Sequence, residues 1–171
     1  PAGSAVVKVA NQAGWRDDFA AQRTALLEAG LPGAVQTAAD ELQQALQRKD
    51  ALLRCASAQP QGGCSVAQRF LYQVLRGLSK EIVFAQMLAG FELASRADSP
   101  VVGLNLVMPE DALVPMRDFS LHMRMMDYLH SVYPQVKISL HAGELTPGLV
   151  PPEGLRFHIR DSIALGHASR I

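Results

Sequence analysis

The sequence is short of charge, and the charge it has is balanced. Charged residues make up 19% of the 171 positions, and 16 Lys plus Arg against 16 Asp plus Glu give a formal net charge of +0. Binding along a phosphate backbone or an anionic bilayer needs a basic excess, so neither nucleic acid nor a membrane surface is expected as a partner. Long apolar runs are also missing: nothing approaches the ~18 to 20 consecutive apolar residues of a membrane-spanning helix. The stretch from Pro1 to Gln12 lacks the basic-then-apolar layout of a signal peptide, so any export signal would be encoded elsewhere. Cysteine is limited to Cys55 and Cys64, which bracket ASAQPQGG. With no histidine nearby and no C-x-x-C, metal binding there is disfavoured, and a disulfide and two free thiols both stay open. No G-x-G-x-x-G follows an apolar run, which leaves a dinucleotide site without support. Internal repeats and low-complexity segments are absent.

What is present is enough apolar material for a core, 49% of residues, arranged with helical and then mixed periodicity. Trp15, Phe19, Leu26 and Leu27, then Val35, Leu42, Leu46, Leu52 and Leu53, recur near multiples of 3.6 residues and predict two helices separated by Leu31-Pro32-Gly33. Residues 51 to 65 carry loop chemistry. Arg69 to Arg76 reads as a strand, and 80 to 97 as a helix stopped by Asp98-Ser99-Pro100. Val101 to Val107 is apolar almost throughout, as in a parallel-sheet strand buried on both sides. A helix over about 117 to 132, a strand over Val136 to Leu140 and a helix over 158 to 167 follow. Strands alternating with helices indicate βαβ units, either in a doubly wound sheet or in part of a (β/α)8 barrel, for which 171 residues is short of the ~250 typical.

The chemistry is concentrated where the strand Val136 to Leu140 runs into His141-Ala142-Gly143-Glu144. That places an imidazole and a carboxylate at the C-terminal edge of a parallel sheet, where α/β architectures build their sites. Imidazole is a good zinc ligand, small residues admit a substrate to the backbone, and a carboxyl near a metal can move a proton. The bland reading of the same residues is a histidine and a turn glutamate satisfying backbone groups. Elsewhere, His122 and His130 are expected at surface or partly buried positions, and His167 near a helix C-terminus suits the macrodipole. Met116, Met123, Met125 and Met126 are expected to pack, and Arg76 is expected to be a structural ion-pair partner more than a pocket residue.

Four blocks in order and spacing resemble the adenosine deaminase family: Val101 to Val107, Ser139 to Leu145 with the His-Ala-Gly-Glu motif, Phe157-His158-Ile159-Arg160-Asp161, and Arg170-Ile171. The likeness is strongest to the exported branch related to adenosine deaminase growth factors, which shares the strand ending at Arg76 and the helix with Phe84-Ala85-Gln86 and Gly90-Phe91-Glu92-Leu93. It covers about residues 66 to 171 well and the helical segment 1 to 65 weakly. The resemblance implies the central part of a (β/α)8 barrel, about its third to fifth strands, acting on adenosine or a close purine nucleoside. His141 would be a ligand of catalytic zinc, and Glu144 the acid that protonates purine N1 while activated water attacks C6, releasing ammonia and inosine. Gly143 and the position of Met108 would lie against the purine.

Departures accompany the matches. The family's H-x-H is absent, and its G-H-G and later aspartates would follow Ile171, so the chain is expected to be an internal portion of a longer protein, inactive alone and completed by the remaining barrel segments. Asn105 and Met108 stand where most members have aspartate and glycine. Adenine or adenosine-monophosphate deamination is the same-chemistry alternative, disfavoured by the absence of any basic residue from Leu145 to Gly154. A deaminase-like binding or signalling barrel that has lost its site is the other. The exported likeness implies a periplasmic or secreted location, with cytoplasmic the alternative, and in an oxidising compartment it favours joining Cys55 to Cys64.

Overall fold

The computed structural model describes residues 2–171; Pro1, the first residue of the segment 1 to 65, lies outside them. Three helices precede the first strand where apolar spacing predicts two: α1 (Ala2–Ala13), α2 (Phe19–Glu28) and α3 (Leu31–Leu52). The extra one is α1, whose Val6, Val9 and Ala10 are buried. Trp15 belongs to the turn after it, packed edge-on against Phe84 at 6.1 Å. That turn is tied down by Gln22, fully buried, which donates from Nε2 to the Gly14 carbonyl (2.8 Å) and accepts the Arg16 amide (2.8 Å). Asp18 caps α2 by accepting the Ala21 amide at 2.7 Å. The break before α3 falls at Ala29-Gly30, and Pro32 and Gly33 lie inside its first turn, where proline forfeits no helical hydrogen bond.

Strands β1 (Phe70–Leu75), β2 (Val101–Val107) and β3 (Lys137–Ile138) form a parallel sheet in the order β1-β2-β3. Helices α4 (Lys80–Ala94) and α5 (Leu113–Val132) make the crossovers, and α6 (His158–Ala164) follows β3. The chain is thus mixed α/β. The strand expected over 136 to 140 is formally shorter, yet its extended course continues: Ser139 forms a parallel bridge with Arg170, and the Leu140 amide donates to the Arg170 carbonyl at 3.0 Å. α5 starts at Leu113, earlier than its apolar stripe suggests, because Pro115 is tolerated in a first turn. α4 ends at Ala94 and α6 at Ala164, each three residues before the end that apolar spacing predicts.

One hydrophobic core unites the helical segment with the sheet: Val6, Leu26, Leu31 and Val35 belong to the same cluster as Phe84, Leu88, Leu104 and Met126. Phe84 is its hinge, stacked on Phe19 at 5.5 Å and beside Tyr128 at 6.3 Å. Helix α4 is buried nearly all round, from Val83 to Phe91, because the sheet covers one side and the N-terminal helices the other. At Gly90 a β-carbon would come within 2.8 Å of Leu104 Cδ2 and Tyr72 Cδ1, so these side chains face α4. Strand side chains alternate, which turns Gln73 and Asn105 to the opposite face. After α3, Cys55 and Cys64 are joined in a disulfide with Cα atoms 5.5 Å apart, closing the loop between them.

Candidate functional site

A chain of polar contacts crosses the face of the sheet opposite α4. Gln73 and Asn105 are register partners on β1 and β2, and Asn105 Nδ2 donates to Gln73 Oε1 at 3.0 Å. That orients the amide so that Asn105 Oδ1 meets His141 Nδ1, also at 3.0 Å. An amide oxygen only accepts, so Nδ1 carries the proton and a neutral ring keeps its lone pair on Nε2. Asn105 therefore orients the imidazole.

Arg76, at the end of β1, is 2% exposed. Its expected ion pair is not what holds it: Nε donates to the Met108 carbonyl (3.0 Å) and an Nη to the His141 carbonyl (3.2 Å). One planar cation thus bridges the loops that leave β2 and β3. Burial lowers its pKa, against the pull of Glu110 and Glu144. A cleft of about 370 Å³ opens beside it, lined by Arg76, Val107, Met108, Pro109, His141 and Glu144. His141 and Glu144 therefore share one cleft at the C-terminal edge, with Asn105's strand alongside. Met108 is 41% exposed and holds φ at +89°, a left-handed conformation that a side chain resists.

Beneath the Gly143–Glu144 turn lies Glu110, 1% exposed, from the loop after β2. Its Oε2 accepts the Glu144 amide at 2.8 Å, the Gly143 amide also donates to the carboxylate, and Oε1 lies 2.7 Å from His158 Nδ1. Burial alone would raise this carboxyl's pKa, but the bonds from His158, Gly143 and Glu144 outweigh it and hold it below the usual range. Gly143 has φ +84°, which favours glycine, and a β-carbon there would come 2.7 Å from Ile159 Cδ1. His158 stacks on Phe119 with ring centroids 3.6 Å apart.

No protein-family model, curated protein or solved structure matches the chain. Among the described residues no group of three or more His, Cys, Asp or Glu is placed to hold a metal ion. His141 fits a single imidazole ligand, with its second nitrogen held by Asn105 as metal-binding histidines usually require.

Of the other histidines, His130 is partly buried, as expected, and His122 is not. His122, expected at a surface or partly buried position, is 1% exposed, because it follows Phe119 and precedes Met126 on the inner stripe of α5. Burial drives its pKa down to about 4; Asp118 opposes the shift, and Arg76 and Arg117 add to it. His167 bonds Asp127 of α5 at 2.7 Å instead of capping α6, and stacks on His130 at 4.0 Å. Met123, Met125 and Met126 are fully buried, as packing residues. Glu110 and the His158 contact were not legible in the sequence: their partners lie 34 and 48 residues apart, and no local motif marks either residue.

Proposed function

We propose that this chain is the central part of a zinc-dependent (β/α)8 deaminase acting on adenosine or a close purine nucleoside. The observation that carries the proposal is the shared cleft of His141 and Glu144 at the C-terminal edge, with the imidazole oriented through Asn105. The strand order supports a barrel: β1, β2 and β3 pair in sequence order, and Ser169 and Arg170 continue the parallel pairing beyond β3 without the reversal of a doubly wound sheet.

In this reading His141 Nε2 is one metal ligand and further segments of a longer protein supply the rest. Zinc, when bound, provides activation of water at neutral pH. Glu144, at the mouth of the cleft, delivers a proton to purine N1, which makes C6 electrophilic toward water. The Gly143 turn and the Met108 backbone flank the ring. An uncharged nucleoside is favoured over adenosine monophosphate because no basic residue occurs from Leu145 to Gly154, and Arg76 spends its bonds on carbonyls. The Cys55–Cys64 cross-link supports a periplasmic or secreted location. A non-catalytic binding barrel is the second reading, favoured by the bulky Met108 at the cleft in a glycine-like conformation.

The test is zinc content beside adenosine turnover in the longer protein. His141→Ala loses zinc and activity together. Glu144→Gln keeps zinc near stoichiometric while kcat falls by roughly 10² to 10⁴. The 171-residue chain alone shows neither activity nor tight zinc binding. Wild-type turnover in Glu144→Gln sinks the assignment, and an inactive, zinc-free parent protein establishes the binding barrel.

A further inference from the structure

The Gly143–Glu144 turn carries the proposed proton donor, yet the turn itself is exposed and Gly143 sits at φ +84°. Such a turn does not hold one geometry unaided. What lies under it is a carboxylate at the other extreme of burial, with 0% of the Glu110 side chain exposed. Burying an ionised carboxylate is costly unless its lone pairs are filled, and here they are filled by two successive backbone amides and one imidazole. An ionised carboxylate only accepts, so His158 Nδ1 must donate, and His158 Nε2 is left buried without a partner. The ring is fixed from behind by its stack on Phe119 of α5. A buried pair this confined does no more for stability than an apolar pair could. Its distinctive output is direction: it fixes two consecutive peptide N–H groups at the foot of the cleft.

We infer that Glu110, held by His158, is the positioning residue of the site, clamping the Gly143–Glu144 peptide so that the Glu144 carboxyl and the His141 ring face the same cleft. Neither Glu110 nor His158 touches substrate. The catalytic consequence rests on the deaminase reading; the clamp itself does not. Displacing a proton donor by about 1 Å costs on the order of 100-fold in rate, so loss of the clamp should appear in kcat far more than in KM.

The test has two arms. In the 171-residue chain, NMR should show His158 protonated at Nδ1 and the Gly143 and Glu144 amides protected from exchange by roughly 100-fold, while Thr146 and Gly148 are unprotected. Glu110→Gln and His158→Leu should each abolish that protection and leave the amides of β1 and β2 slow. If Glu110→Gln does not fold, the wild-type spectrum and His158→Leu decide. In the longer protein, Glu110→Gln should lower kcat about 100-fold with KM within about threefold and zinc retained. Unprotected amides in the wild type, unchanged protection in both variants, or wild-type kcat in a variant that has lost protection each overturn the inference. Absence of adenosine turnover in the wild-type protein sinks the deaminase reading and the catalytic consequence with it, whereas amide exchange still decides whether Glu110 holds the turn.

Discussion

His122 shows how one buried side chain imposes a pH dependence on the whole molecule. Its imidazole is 1% exposed and Nε2 lacks a partner, so the folded state resists protonation down to about pH 4. The unfolded chain takes up the proton near pH 6.5. The depressed pKa means that the stability is fully present above about pH 6.5 and is lost as pH falls toward 4, up to about 3 kcal/mol. Urea midpoints at pH 7, 5.5 and 4.5 should therefore decline in the wild type and stay nearly level in His122→Leu, which removes both the titration and the orphaned nitrogen. Glu110 adds a separate loss only below the ordinary carboxylate range, because its pKa is also depressed. Met108 is the second residue with an isolated effect. At φ +89° it pays about 1 to 3 kcal/mol of backbone strain, partly offset where its side chain covers Gly77. Met108→Gly is expected within about 1 kcal/mol of wild type, and Met108→Val, β-branched at a positive φ, well below both in denaturant melts.

At the scale of elements, apolar periodicity located the interiors of helices and strands better than their ends. β2 spans the anticipated residues 101 to 107, and β1 lies within the anticipated 69 to 76. The boundaries that moved are those set by capping and turn geometry: Pro32 read as a break, and α5 was expected to start near 117, but Pro32 and Pro115 each fall in a first turn, where proline is harmless. α1 was missed although Val6, Val9 and Ala10 recur at helical spacing; these small apolar residues are buried by packing on α3 and α4. The loop after α3 holds its shape differently, through Cys55–Cys64. Reduction should lower the denaturant stability by roughly 2 to 3 kcal/mol, as expected for a short closed loop. Non-reduced peptide mapping should recover the linked pair from protein made in an oxidising compartment, and two free thiols would exclude it.

The whole molecule behaves as one packing unit because α4 is shared. Its buried face from Val83 to Phe91 is covered on one side by the sheet and on the other by α1 and α3. A chain beginning at Val66 would strip the cover from Phe84 and Leu88, both fully buried. At about 1.5 to 3 kcal/mol for each large apolar side chain, that exposure exceeds what a domain of this size can spare. The truncated chain should show no cooperative thermal transition by circular dichroism, where the 171-residue chain shows one.

By itself the sequence determined the alternation of helices and parallel strands, the apolar run of β2, and the place of His141 and Glu144 at the end of the next extended stretch. These follow from local periodicity and turn chemistry, which act over a few residues. Only the tertiary structure decided what surrounds them. Asn105 reaches His141 across 36 positions, Glu110 reaches Glu144 across 34 and His158 across 48, and Arg76 reaches the His141 carbonyl across 65. The histidines belong on the tertiary side too: His122 was expected at a surface or partly buried position and is buried against the core, and the burial of His158 depends on a partner in a distant loop. Hydrogen bonds of that reach leave no trace in local pattern, because the residues meet only after the sheet has brought its strand ends together.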